Sequence, residues 1–267
     1  MEHKLIQTER GAVHYWISRG SSRSGKTVVF THGLTADHTM FEKQVEYFSK
    51  DLTVITWDVP LHGKSRPYKD FSYKNAAADL KNILDTEKIE QTVLVGMSMG
   101  GYPSQEFAAL HPNMVSAFVA LDTTPFGLCY YSRSDKWWLK RVGALAGMFS
   151  DKTLRKSMAK SVSRTRQAYD LMIKMLEPLS KAEIIEQMDI AYGGFVKENK
   201  DVKFNFPVLI LLGEHDKTGK VKQYCEAWSE KEGYPLKIIK GAAHLSNVDN
   251  PDDVNREIKD FIESNTK

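Results

Sequence analysis

Short apolar runs recur along the chain, and most are apolar at successive positions rather than at every second one. Segments 27–31 (TVVFT), 52–57 (LTVITW), 92–95 (TVLV), 115–121 (VSAFVAL), 208–212 (VLILL) and 236–239 (LKII) are rich in β-branched residues. Runs of this kind predict strands covered on both faces, as in a parallel sheet. Segment 12–17 alternates enough to predict one strand of an N-terminal hairpin. Between the runs, apolar residues recur at helical spacing: Phe41, Val45 and Phe48; Ala76, Leu80, Ile83 and Leu84; and Val254, Ile258, Phe261 and Ile262 behind Pro251. These predict amphipathic helices. Strands alternating with helices imply right-handed βαβ units, so the expected class is α/β with a doubly wound, mostly parallel sheet.

One stretch breaks the rhythm. From 126 to 200 no strand is predicted, and helical periodicity runs through Trp138, Val142, Leu145 and Met148, then Leu154, Met158 and Val162, then Ala168, Met172, Met175 and Leu179. This stretch holds 14 Lys and Arg against 8 Asp and Glu, whereas the whole chain is only +3. It is too long for a single crossover. A helical cap at 126–200, inserted after the sixth strand, is therefore expected over a core made of 1–125 and 201–267.

Composition narrows the partners. With 267 residues and 42% hydrophobic content the chain can bury a full-sized core. No internal repeat or low-complexity segment is present. The charge is nearly balanced and no run of like charges occurs, so nucleic acid is not an expected partner. The start, Met1-Glu2-His3-Lys4, has no apolar stretch of signal-peptide length, and no run approaches the ~20 residues of a membrane span. A cytoplasmic protein without integral membrane association is expected. Cys129 and Cys225 permit a disulfide but suit a reducing compartment as well.

The chemistry gathers at strand ends. The strand 92–95 runs into Gly96-Met97-Ser98-Met99-Gly100-Gly101, and 102–110 then looks helical. Strand, G-x-S-x-G, helix is the setting of a nucleophile elbow, in which a tight bend lifts the serine hydroxyl above the sheet edge. The bend also puts the Met99 N–H at a helix start, where negative charge is favoured. Asp216 follows the strand 208–212 and His244 follows 236–239, in the order nucleophile, acid, base. His244 would take the Ser98 proton, with Asp216 fixing its tautomer. Asp122, after the strand ending at 121, and Glu214 are the alternative acids. His32 and His62 read as loop anchors, and His215 lies on the acid's own strand end. No H-E-x-x-H, paired Cys/His cluster or strand-linked G-x-G-x-x-G occurs, so neither a metal nor a nucleotide cofactor is expected.

Five motifs in this order resemble the α/β-hydrolase superfamily over essentially the full chain. They are His32-Gly33, Asp58-x-Pro60-x-His62-Gly63-x-Ser65, Gly96-Met97-Ser98-Met99-Gly100-Gly101, Gly213-x-x-Asp216 and Gly241-x-x-His244. The resemblance implies an oxyanion hole made by the backbone N–H groups of Leu34 and Met99. Leu61 departs from it, because the related loop usually carries glycine there. Members with an aspartate nucleophile, the epoxide hydrolases and haloalkane dehalogenases, are disfavoured by Ser98. The resemblance implies a serine hydrolase acting on a small carboxylic ester or lactone through an acyl-enzyme, a small-molecule substrate with no cofactor. Two rivals remain: a C–C bond hydrolase or lyase that holds a carboxylated substrate on Arg133 or Arg141, and a slow-turnover ligand receptor that keeps the triad. Trp137, Trp138, Leu145, Met148 and Met172 are the expected pocket residues, with Phe149 and Met175 beside them.

Overall fold

The computed structural model describes residues 1–20 and 25–266. Its strands are β1 (Glu2–Gln7), β2 (Ala12–Ser18), β3 (Thr27–Thr31), β4 (Thr53–Trp57), β5 (Thr92–Met97), β6 (Val115–Leu121), β7 (Val208–Gly213) and β8 (Leu236–Ile239). They form one sheet in the order β1-β2-β4-β3-β5-β6-β7-β8. β1 and β2 pair antiparallel, as do β2 and β4, and every other pair is parallel. This is the mostly parallel sheet that the unbroken apolar runs predict.

Side chains alternate across the sheet and build two apolar layers. Val28, Phe30, Val93, Val95 and Val119 face one way, where α1 (Glu42–Phe48) and α11 (Pro251–Asn265) cover them. Val29, Leu94, Phe118, Ile210 and Leu212 face the other, beneath α2 (Tyr73–Thr86), α3 (Gly101–Leu110) and α9 (Val221–Glu232). A strand packed on both faces has no polar face to present, which is why these runs read as continuously apolar. β8 is an edge strand, and its Lys237 and Ile238 are exposed.

Five helices lie between β6 and β7: α4 (Arg133–Leu139), α5 (Val142–Gly147), α6 (Asp151–Val162), α7 (Arg166–Leu176) and α8 (Lys181–Glu198). Hydroxyl side chains start four of them. Ser132, Ser150, Thr165 and Ser180 each accept an N–H from the first turn, and Asp135 and Glu183 close capping boxes at α4 and α8. α8 reaches both layers, with Ile184 and Met188 in one and Ala191 and Phe195 in the other. A short helix, α10 (Ser246–Asp249), precedes α11. None of the described helices is long and apolar enough to cross a membrane.

Candidate active site

β5 ends at Met97, and a single 3₁₀ turn, Ser98–Gly100, leads straight into α3. Ser98 sits at φ +50°, in the left-handed region that a residue with a Cβ enters only with strain. Glycine makes the turn sterically possible. A Cβ on Gly96 would stand 2.6 Å from the Cα of Gly101, and one on Gly100 would overlap the carbonyls of Thr31 and His32. Gly96 thus packs against Gly100 and Gly101, and Gly100 against the end of β3.

The serine meets an imidazole from far along the chain. Ser98 Oγ lies 2.8 Å from His244 Nε2, and His244 Nδ1 lies 2.7 Å from Asp216 Oδ2. An ionised Asp216 accepts the Nδ1 proton and leaves Nε2 free to accept from the serine hydroxyl. β7 delivers Asp216 and its parallel neighbour β8 delivers His244, so both reach the carboxyl edge from which Ser98 emerges. Asp216 Oδ1 also accepts the Thr218 N–H at 2.8 Å. Burial disfavours charge on Asp216, but the field of His244 and these bonds outweigh it, and the carboxyl ends below its ordinary value. Burial likewise lowers His244, and Asp216 more than compensates, so the imidazole pKa is raised.

The competing groups are bonded elsewhere. Asp122 is fully buried at the end of β6, where it accepts the Gly213 N–H at 2.7 Å and the Ser246 hydroxyl. Burial pushes its carboxyl up to about 7, Asp216 adding to the rise and His244 opposing it. Glu214 is exposed and accepts the Gly241 N–H. His32 Nδ1 donates to Gly33 O at 2.8 Å while Nε2 accepts the Val59 N–H at 3.0 Å, which ties the β3 loop to the β4 loop. His62 donates to Pro60 O, and burial pushes its pKa down to about 3, so it stays neutral. Leu61 holds φ +72°. The loop passes through a left-handed residue here, the conformation that suits glycine, and a side chain costs roughly 1–2 kcal/mol of backbone strain.

A cavity of about 130 Å³ opens on Ser98 and His244, walled by Leu34, Met97, Met158, Met172, Met188 and Tyr192. Gly33 brings the loop against Ser98, since a Cβ there would stand 3.3 Å from the Cβ of Ser98. Met99 follows Ser98 in the turn, and its side chain packs on the opposite face of the sheet.

A family described as alpha/beta hydrolase fold matches residues 26–251. The chain belongs to this family. This α/β-hydrolase is 26% identical over 253 residues to 2-(acetamidomethylene)succinate hydrolase of Mesorhizobium japonicum, covering 90% of this chain and 89% of that protein. It is 21% identical to 3-oxoadipate enol-lactonase 1 of Acinetobacter baylyi, over 98% of both chains. Among solved structures it is similar to a thermophilic esterase of Thermogutta terrifontis, with a TM-score of 0.80, 21% identity and 100% coverage of both chains.

Several expected pocket residues stand elsewhere in this α/β-hydrolase. Met172 does line the cavity at Ser98. Leu145 lines an adjoining cleft of about 270 Å³ that shares Met158 and Ser161 with that cavity. Trp137, Trp138 and Met148 are 49%, 55% and 74% exposed and do not reach it. The reason is that α4 and α5 pack on α8 while α6, α7 and α8 supply the wall. Trp137 stacks under the Arg141 guanidinium, and neither Arg133 nor Arg141 lines the cavity. Met188 and Tyr192 were missed, although their four-residue spacing, in step with Ile184 and Phe195, marks one face of a helix. One potential ligand atom from each of Asp37, His38 and Asp58 lies within 4.8 Å of the others. Their groups are already engaged: Asp58 with His38 and Lys64 N–H, Asp37 with Thr39.

Proposed function

We propose that this α/β-hydrolase cleaves a small carboxylic ester or lactone through an acyl-enzyme on Ser98. One observation carries the reading: the hydrogen-bonded line Ser98–His244–Asp216 opens on a largely apolar cavity. His244 accepts the hydroxyl proton as Oγ attacks the carbonyl carbon, and Asp216 stabilises the imidazolium that forms. The proton then passes to the leaving alkoxide, and water repeats the sequence to free the acid. The backbone N–H groups of Leu34 and Met99 hold the oxyanion; a donor of this kind is worth about 2.7–4 kcal/mol in the transition state. Residues 126–200 act as a cap on the core formed by 1–125 and 201–267, a division supported by the cavity wall that Met158, Met172, Met188 and Tyr192 provide. The relatives, a 2-(acetamidomethylene)succinate hydrolase and an enol-lactonase, agree with a small acyl substrate.

A fluorophosphonate probe should label Ser98, located by peptide mapping, and p-nitrophenyl acetate or butyrate should turn over. Ser98→Ala should lose the label and at least ~10⁴-fold in kcat. A wild type inert to the probe and to an ester and lactone panel would overturn the reading.

A further inference from the structure

Beside the Ser98 cavity lies a second cleft, of about 730 Å³, lined by the α6–α7 junction and by the loops that carry Asp216 and His244. Lys160, Arg164, Arg166 and Lys217 line it, with His215 at its wall. Ser161, Ser163, Thr165 and Tyr169 add hydroxyl groups. No carboxylate lines it among the described residues. Three acids stand at its edge, each bonded to lining residues. Asp170 holds Arg166, Glu214 stands 3.6 Å from His215, and Asp249 accepts the backbone N–H groups of Arg164, Thr165 and Ala243. Lys160, Arg164 and Lys217 have no side-chain ion pair among the described residues.

The side chains of Lys160, Arg164 and Lys217 outnumber the counter-charge beside them, and the concave wall concentrates their field on whatever enters. The cleft adjoins the Ser98 cavity across the joint at which the Leu245 N–H donates to Val162 O. Ser161 lines both cavities, Lys217 precedes Thr218, and Ala243 precedes His244; Thr218 and His244 both line the Ser98 cavity. A ligand in the cleft therefore lies against the loops that carry Asp216 and His244.

We propose that this cleft holds a phosphate-bearing leaving group while the acyl chain occupies the apolar cavity. The proposal rests on the serine-hydrolase reading above and specifies its substrate class. A lone carboxylate would need one bidentate arginine, whereas several point charges with hydroxyl donors match the two charges and three acceptor oxygens of a phosphate. The cleft volume also suits a group far larger than the acyl cavity admits. For a thioester the balance is simple. Ser98 Oγ bonds to the carbonyl carbon, the C–S bond breaks, and the thiolate takes the proton that His244 removed from Ser98. Water then adds to the acyl-enzyme and releases the carboxylic acid.

The test compares three butyryl thioesters whose leaving groups are neutral (N-acetylcysteamine), carboxylated (glutathione) and phosphorylated (coenzyme A). The expected order of kcat/KM is phosphorylated, then carboxylated, then neutral, with roughly 10–100-fold between the extremes. Replacing Lys160, Arg164 and Lys217 together by Ala should reduce that ratio at least about tenfold, and so should raised salt. Calorimetry with coenzyme A alone should show binding that the triple variant loses, a readout independent of turnover. Equal rates on the neutral and phosphorylated thioesters would overturn the proposal, and a carboxylated substrate at least as good as the phosphorylated one would overturn the choice of phosphate. Should the neutral thioester or p-nitrophenyl butyrate still be cleaved in a Ser98-dependent way, only the cleft assignment fails. If no substrate turns over and no probe labels Ser98, the hydrolase reading fails with it.

Discussion

At the scale of single residues, short motifs confine Ser98 and His244, whereas two carboxylates compete for the imidazole. Asp216 and Asp122 both follow buried strands, so the sequence favours Asp216 but keeps Asp122 as an alternative. The distinction lies in where each carboxylate finds its donors: Asp216 at His244, Asp122 at Gly213 and Ser246. The two should therefore fail differently. His244 acts only when neutral and its pKa is raised, so kcat/KM should climb with pH through a midpoint above the ordinary histidine value of 6.5. In Asp216→Asn the larger raising influence is gone and only the weaker field of Asp122 remains, while burial still lowers the imidazole. The midpoint should then move to lower pH, and the plateau should fall roughly 10³–10⁴-fold. An unmoved midpoint in a pH–rate profile would contradict the assignment. Asp122→Ala should instead leave the Gly213 N–H and the Ser246 hydroxyl unpaired in the interior, at about 1–3 kcal/mol per group. The urea midpoint should drop while kcat stays within about tenfold.

At the scale of elements, the central strands were readable because burial on both faces leaves no polar residue to interrupt them. β1 had no such signature: its sequence EHKLIQ is exposed or half-buried throughout, and only the hairpin implied by β2 pointed to a partner. The helices of 126–200 were readable as periodicity, but which of them would face Ser98 was not. That depends on how the junction between α6 and α7 meets the His244 loop. Asp249 makes the joint by accepting the N–H groups of Arg164, Thr165 and Ala243, and the Leu245 N–H reaches Val162 O at 2.8 Å. Asp249→Ala should loosen both sides together. Amide hydrogen exchange should quicken at 163–166 and at 243–245, and kcat should fall by up to ~10²-fold as the imidazole loses its aim. Faster exchange confined to one side would show that Asp249 does not couple them.

At the scale of the whole molecule, the insertion differs from its host in charge and in secondary structure, which suggests a separable unit. The packing argues the opposite. Phe126 packs against Tyr73 of α2 and Tyr102 of α3, and Phe195 against Tyr102 and Phe126, edge-on or tilted, at centroid distances of 4.6 to 5.9 Å. Tyr131 joins them through Phe195 at 5.0 Å, and the Tyr73 hydroxyl donates to Ala191 O at 2.8 Å. On the other face, Met172, Leu176, Ile184 and Met188 belong to the same apolar layer as Val95 and Val119 of the sheet. Sequence pattern alone does not reveal this, because an apolar helix face reads the same whether it meets another cap helix or the sheet. Removing the insertion would strip both layers of buried partners, so its loss and the loss of the core should be one event. Scanning calorimetry should give a single thermal transition, with the calorimetric enthalpy equal to the van't Hoff value. Two resolved transitions, or a folded chain after replacement of 126–200 by a short linker, would show that the insertion is held on its own account and that the shared aromatic cluster contributes little.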